Sequence, residues 1–286
     1  MNRVAYLGPE GTVSEEATRF FFRDEACRFV PCRFMSDVLR SVAEGRADFG
    51  VVPIENTIDG SVHAHLDLLV NGYDLPIRAE WVYPSVQNLI GYPPERPSDA
   101  PYAHIRKIVS IPVAIAQCRL FLERNFPEDL DYEQVASTAE GVRLVRERGD
   151  PTQAAIGTKL AAERYGLTVL AENIADHDNN YTRFVLVGLK PYEGKTSDFH
   201  KTTIVVTLPE DYPGALHQVL SAFAWRRINL SRIESRPTKK RLGSYYFYID
   251  VEMSLESVLL RAALEEIGAI GAQVRVLGSY PSFNYA

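Results

Sequence analysis

The stretch LKPYEGKTSDFH, residues 189–200, is polar, has no helical or strand period, and separates two different hydrophobic patterns. Read outward from it, the chain divides into a unit at 1–190, a linker at 191–200 and a second unit at 201–286. Downstream, residues 201–208 read as a strand. Residues 213–225 read as a helix, with Leu216, Val219, Leu220 and Phe223 on one buried stripe. Strands follow at 228–234 and 245–251, then a helix at 256–267 and a strand at 273–277. In the strand at 245–251, Tyr245, Phe247, Ile249 and Val251 alternate against Tyr246, Tyr248 and Asp250. The aromatic run is assigned to sheet core and interface. The order βαββαβ, over about 80 residues, is the α+β ferredoxin-like arrangement.

Upstream, strand and helix patterns alternate. An apolar run at 4–7 stops at Gly8-Pro9, and Thr12 with Glu15 has the spacing of a capping box. Ser36 is expected to cap a second helix that Gly45 stops, and Ser61 a third that carries Val62, Leu66 and Leu69. Residues 49–54 are a strand interrupted by Pro53. Further strands are expected at 77–82, 107–110, 154–157 and 184–188. Helices are expected at 113–123, 139–148 and 159–165. The alternation predicts α/β layers with mostly parallel strands, whose ligands sit beyond the carboxyl ends of the strands.

Composition narrows the function. The 286 residues carry 31 Lys plus Arg and 37 Asp plus Glu, a net charge of −6. Residues 1–200 hold 21 basic and 29 acidic side chains, net −8, and residues 201–286 hold 10 and 8, net +2. Neither part has the basic balance of a nucleic-acid binder. No run reaches the roughly 18 apolar residues of a membrane span. The N-terminus, MNRVAYLGPEGT, has no long apolar signal core, so a cytoplasmic location is expected. Cys27, Cys32 and Cys118 are odd in number and lack metal spacing, so neither a disulfide nor a zinc site is expected. His63 and His65, two apart on a predicted helix, point to different faces. His177 belongs to a polar loop. Neither a P-loop nor a dinucleotide-binding glycine motif is present.

Four polar stretches fall where strands end. GPEGT, 8–12, sets two glycines before a helix N-terminus, a natural carboxylate site. PIENTIDGS, 53–61, places Glu55, Asn56 and Thr57 directly after a strand. SIPVAIAQC, 110–118, puts Gln117 in an apolar helix, and STAEG, 137–141, follows it with Ser137 and Thr138. In NNYTRF, 179–184, Asn180, Thr182 and Arg183 open a strand, and Arg183 offers a forked donor to a carboxylate. Each stretch also has a plain structural reading, as a turn, a capped loop or an ion pair. Together they describe a two-part α/β protein that binds a small polar anion.

In order and spacing, GPEGTVSEEA, VVPIENTIDGSV, SIPVAIAQC, NNYTRF and GALHQVLSAFAWRRINLSRIESRP resemble the prephenate dehydratase family, from about residue 4 to residue 280. The IEN, N-x-TRF and ESRP signatures in this order are specific to it. The resemblance implies a catalytic domain of two lobes like type II periplasmic binding proteins, followed by a C-terminal ACT domain. Lobe 1 would span about 1–78 plus 172–190, and lobe 2 about 79–171. It also implies conversion of prephenate to phenylpyruvate with loss of carbon dioxide and water. Aromatisation of the ring drives that reaction, so no metal or other cofactor is expected. The implied catalytic residues are Thr182, as donor or relay to the departing hydroxyl, and Glu55, which orients neighbours or supplies a proton. Thr12, Asn56, Thr57, Gln117, Ser137, Thr138, Asn180, Arg183 and Phe184 are implied to bind substrate. Arg183, Asn180 and the N–H groups around Thr12 would hold its carboxylates. The net −8 of residues 1–200 repels a dianion in bulk, so these placed donors matter.

Departures from the family pattern are few. Thr57 stands where many members have Ser. Val86-Gln87-Asn88 and Ile111 lack histidines found elsewhere, which removes a histidine acid from those places. Arogenate is used by close cousins, so an arogenate or cyclohexadienyl dehydratase is the alternative, and a non-catalytic amino-acid sensor the third reading. In the ACT domain, Pro213, Gly214, Ala215, Leu216, Asn229, Leu230, Glu234, Ser235, Arg236 and Pro237 are implied to bind L-phenylalanine where two ACT domains pair, in a homodimer or homotetramer. The plain reading of Glu234 and Arg236 is an ordinary dimer salt bridge.

Overall fold

The structure, a computed structural model, describes residues 1–94, 101–210, 212–238 and 245–284. The first lobe begins with β1 (Asn2–Leu7), α1 (Val13–Phe21), β2 (Cys27–Cys32), α2 (Met35–Ala43) and β3 (Phe49–Asn56). It continues through β4 (Gly60–Ser61), α3 (His63–Asp67), a π turn at Leu68–Gly72, and β5 (Ile77–Pro84). β1 lies parallel between β2 and β3. Thr12 caps α1, its Oγ1 accepting the Glu15 N–H at 3.4 Å. The Glu15 carboxylate accepts the Gly11 N–H at 2.7 Å, so the box is closed one residue earlier than its usual form.

Two other expected caps do not form. α2 starts at Met35 with no side-chain bond at its cap. Ser61 lies in β4, and its hydroxyl donates to Glu234 at 2.7 Å, so a long-range carboxylate outcompetes the local helix end. α3 therefore starts uncapped and passes into the π turn. His63 and His65 do diverge. His65 Nδ1 lies 2.7 Å from the Pro53 carbonyl, whereas His63 lies 3.2 Å from Glu234.

The second lobe holds β6 (Asn88–Gly91), β7 (Lys107–Ser110), α4 (Pro112–Gln117), α5 (Arg119–Asn125) and β8 (Asp131–Gln134). α6 (Thr138–Arg148), β9 (Gln153–Gly157), α7 (Lys159–Tyr165) and β10 (Thr168–Ala171) complete it. Its sheet order is β10-β6-β9-β7-β8. The single helix expected at 113–123 breaks at Cys118, where ψ turns to 16°. β5 remains in the first sheet through Pro84, so the chain leaves the first lobe after residue 84 and not near 79.

The chain returns as β11 (Tyr181–Val187), antiparallel between β3 and β5. Its register slips where Arg183 faces Glu55 but Phe184 faces Pro53. Pro53 has no N–H for the ladder, and the unpaired Ile54 makes a bulge beside the site. The third unit is β12 (His200–Thr207), α8 (Ala215–Ala224), β13 (Leu230–Pro237), β14 (Tyr245–Val251), α9 (Val258–Ala269) and β15 (Gln273–Phe283), the expected βαββαβ order. β15 runs well beyond residue 277, and its Ser282 and Phe283 pair with Glu80 and Trp81 of β5. The result is one ten-stranded sheet through both units, β13-β14-β12-β15-β5-β11-β3-β1-β2 with β4 beside β3. Gly278 permits the join, since a Cβ there would lie 2.3 Å from the Ile77 carbonyl oxygen. The segment between the units is not a loose tether: Tyr192 donates to Glu25 at 2.6 Å and Lys195 to the Phe21 carbonyl at 2.7 Å.

Candidate active site

Carboxyl ends of strands from both lobes converge on one cavity of about 910 Å³. The first turns of α1, α4 and α6 open onto it, through residues 12–14, 113–114 and 137–138. Helix N-termini present N–H groups and partial positive charge, which suits carboxylates. Arg33, from the loop after β2, and Arg143, from α6, line the same cavity. Two cations thus border it from opposite lobes, Arg143 while also pairing with Glu147 at 2.5 Å on its own helix.

A hydrogen-bonded polar chain crosses the cavity. Asn56 Oδ1 accepts the N–H groups of Ile58 and Asp59 at 2.9 and 3.0 Å, which fixes the orientation of its amide. Its Nδ2 then donates to Asn180 Oδ1 at 2.8 Å and to Thr182 Oγ1 at 3.0 Å. Asn180 Nδ2 donates to Gln117 Oε1 at 2.9 Å, and Gln117 Nε2 to Asp59 at 2.8 Å. Gln117 comes from the second lobe, so this chain latches the lobes together. Ser85 Oγ lies 2.7 Å from Thr182 Oγ1. Only one proton fits between these two hydroxyls. Thr182 already accepts from Asn56, so the pair keeps one O–H available to a ligand, whichever of the two donates to the other. Gln87 Oε1 lies buried at the cavity wall with no hydrogen-bond partner among the described residues.

A second contact between the lobes lies at α1 and α7. Glu16 accepts the Leu160 N–H at 3.2 Å, and burial pushes its carboxyl up to about 7.

Residues 4–192 match the prephenate dehydratase family and residues 202–269 the ACT domain. This chain belongs to the prephenate dehydratase family. It is 42% identical to the prephenate dehydratase of Methanocaldococcus jannaschii, over 99% of this chain and 100% of that one. It is 39% identical to that of Bacillus subtilis, over 98% and 99%. A crystal structure of prephenate dehydratase from Arthrobacter aurescens in complex with L-Phe superposes with a TM-score of 0.84 at 37% identity, covering 98% of this chain and 89% of that one.

Within this prephenate dehydratase fold, Thr12, Asn56, Gln117, Ser137, Thr138, Asn180 and Thr182 line the cavity. Four expected residues do not. Side chains alternate along a strand, so Arg183 points away from the face that carries Thr182. Its guanidinium pairs with Asp250 of the ACT domain, and also lies 3.3 Å from Glu55 and 3.6 Å from Glu80. Glu55, opposite Arg183 in register, is turned the same way. Thr57 ties its own loop, donating to the Asn179 carbonyl at 2.5 Å and accepting the Tyr181 N–H at 2.9 Å. Phe184 is core, stacked 5.7 Å from Trp81. Ser85, Gln87, Arg33 and Arg143 were not singled out from the sequence. The first three follow β5 and β2, where the rule of strand carboxyl ends, applied to every strand, finds them.

The expected phenylalanine-site residues of the ACT domain fall in two groups. Gly214 caps α8 with φ +91°, a conformation glycine supplies without strain, and Pro213 beside it is exposed. Asn229, just before β13, donates to Glu252 at 2.6 Å, and Leu230 packs on the ACT core. At the other end of β13, Ser235 and Pro237 are exposed. Glu234 and Arg236 face the first lobe of the same chain. Glu234 accepts from Ser61, and Arg236 pairs with Asp67 at 3.2 Å. Burial opposes ionisation of Glu234, yet the bonds from Ser61 and Arg232 hold its carboxyl below the usual range.

Proposed function

We propose that this chain converts prephenate to phenylpyruvate in the cavity between its lobes, and that L-phenylalanine bound at the ACT domain regulates it. The observation that carries the reading is the Thr182–Ser85–Asn56 cluster. It offers one hydroxyl proton in a cavity otherwise built for carboxylates. The substrate is a dianion. Arg33, Arg143 and the helix N-termini hold the carboxylate of its pyruvyl side chain. The ring carboxylate leaves as carbon dioxide, and its bonding electrons enter the ring as the C–O bond breaks. The departing oxygen takes a proton and leaves as water. Tight gripping of the ring carboxylate would oppose its loss, so the cations work best on the carboxylate that stays.

Thr182 is the donor to the leaving oxygen, and Ser85 relays to it a replacement proton from solvent, so both hydroxyls end the cycle neutral. Asn56 and Asn180 orient that pair, and Thr12, Gln117, Ser137 and Thr138 complete the substrate site. Gln117 couples closure of the lobes to a bound substrate and so excludes water. Arogenate would replace the side-chain keto group by an ammonium, which needs a free carboxylate. The acidic residues at the cavity, Asp59 and Glu140, accept from Gln117 and from the Ala136 N–H, and Glu140 also faces Arg143 at 3.8 Å.

The residues 213–216 with Asn229 and Leu230 form the phenylalanine site in this reading, at paired ACT domains of a homo-oligomer. The exposed apolar side chains Trp225, Val258 and Ile233 on the ACT domain support such pairing. Action in the cytoplasm accords with the absence, among the described residues, of a helix long and apolar enough to cross a membrane. The test is phenylpyruvate release from prephenate and from arogenate, each with and without phenylalanine. No turnover of prephenate would refute the reading, and unchanged activity and melting temperature under saturating phenylalanine would refute the regulation.

A further inference from the structure

On its face opposite the cavity, β11 carries an ion network that the chemistry above does not use. Arg183 is the residue after Thr182, and its side chain is only 10% exposed. Its guanidinium pairs with Asp250 of β14, which is fully buried in the ACT sheet. The other Asp250 oxygen accepts from Thr203 Oγ1 at 2.7 Å, and the Tyr280 hydroxyl lies 2.6 Å from that same Oγ1. Glu80, on β5, takes Lys201 Nζ and Ser282 Oγ, both at 2.6 Å. The Arg183–Asp250, Lys201–Glu80 and Ser282–Glu80 ties join the catalytic strands to the ACT strands, and the Thr203 bonds brace Asp250 from within the ACT sheet. Burial opposes ionisation of Asp250, yet Arg183 and the Thr203 bond keep its carboxyl below the usual range.

The strands place this network against the reacting groups. Thr182 pairs in register with Asn56, and Arg183 with Glu55. Two neighbouring strands therefore each send one residue to the cavity and an adjacent one, Arg183 after Thr182 and Glu55 before Asn56, to the opposite face. Immediately beyond lies the bulge at Pro53, where the backbone ladder is interrupted. The slip is on the β3 side alone, since β11 stays in continuous register with β5 from Tyr181 to Leu186, so the side-chain ties add to the ladder where it is one-sided.

We propose that Asp250, an ACT-domain residue remote from the cavity, is a positioning residue for the dehydration: through Arg183 it sets the twist of β11 and so the aim of the Thr182 hydroxyl. The inference rests on the reading of Thr182 given above. A misplacement of about 1 Å at such a group can cost about a hundredfold in rate. The same tie gives the ACT sheet a mechanical hold on Thr182, so a ligand that shifts β14 reaches the reaction through it.

The experiment compares wild type with Asp250→Asn, which keeps shape and an oxygen but removes the charge. The expected result is a kcat lower by about tenfold or more, a KM for prephenate within about threefold, and weakened inhibition by phenylalanine. Should Asp250→Asn fail to fold, Thr203→Val removes a bond to Asp250 and the partner of the Tyr280 hydroxyl and leaves the ion pair. It is expected to lower kcat by about fivefold or more with KM unchanged, and a kcat within about threefold of wild type overturns the proposal. A variant with wild-type kcat and only a lower melting temperature assigns Asp250 a purely structural role and overturns the proposal. Absence of prephenate turnover in wild type overturns the reading of the site itself. Turnover in wild type with unchanged kcat in the variant overturns only the positioning role.

Discussion

Replacing Thr182 by Val keeps the shape of the side chain and deletes the hydroxyl on which the mechanism turns. Thr182 Oγ1 has Ser85 Oγ at 2.7 Å and Asn56 Nδ2 at 3.0 Å. With Val, one Asn56 N–H loses its acceptor, which costs about 1 kcal/mol of stability. The larger effect is kinetic. Loss of a donor aimed at charge that develops in the transition state costs about 10²–10³ in kcat, or roughly 3–4 kcal/mol. Ser85 keeps its own proton and can turn toward the leaving oxygen, so the lower end, about a hundredfold, is expected. KM stays within about threefold, because the carboxylates are held elsewhere. Thr182→Ser restores the oxygen and is expected within about tenfold of wild type. Steady-state phenylpyruvate formation from prephenate measures these effects, with thermal melting in parallel to confirm folding. A Thr182→Val enzyme whose kcat lies within about threefold of wild type would refute the role of this hydroxyl.

Arg33→Ala and Arg143→Ala are each expected to raise KM for prephenate by about tenfold, about 1.4 kcal/mol, with a smaller change in kcat. The effect should shrink with added salt, and an unchanged KM at low ionic strength would count against the two-cation clamp. Glu16, raised to about 7 by burial, is favoured in its protonated form by the fold. The stability it contributes is complete below the ordinary value of 4.5 and is lost as pH rises through about 7. Melting temperature should therefore fall between about pH 5 and about pH 8, with a slope that Glu16→Gln reduces, and equal slopes in the two proteins would refute the assignment. In Gly141→Ala the new Cβ would meet the Val109 carbonyl oxygen at 2.6 Å. α6 must then back away from β7, which should cost about 1–3 kcal/mol in denaturant unfolding and raise KM as Ser137 and Thr138 move with it.

Thr182, Asn56, Asn180 and Gln117 were legible as candidates because each sits in a polar stretch at a strand end or breaks an apolar helix. The direction in which a neighbour points was not. Arg183 and Glu55 adjoin cavity residues in sequence, but the strand period of two sends them to the opposite face, where Asp250 waits 67 residues away. Ser61 has the local chemistry of a helix cap and is claimed by Glu234, 173 residues distant. Arg33 and Arg143 lie on different lobes, and no local pattern relates them.

By itself the sequence determined the two units, most of their helices, about half the strands of the first, the βαββαβ order of the second, and the polar residues from which the site is drawn; β2, β4, β6, β8 and β10 were not legible in it. Hydrophobic period, capping and turn chemistry act within a few residues and can be read there. Only the tertiary structure decided which of those residues meet. The bulge at Pro53 sets the register of β11 against β3, the pairing of β15 with β5 fuses both units into one sheet, and the partners of the buried charges come from opposite ends of the chain. Buried charges need compensation wherever the fold can supply it, and that supply is long-range.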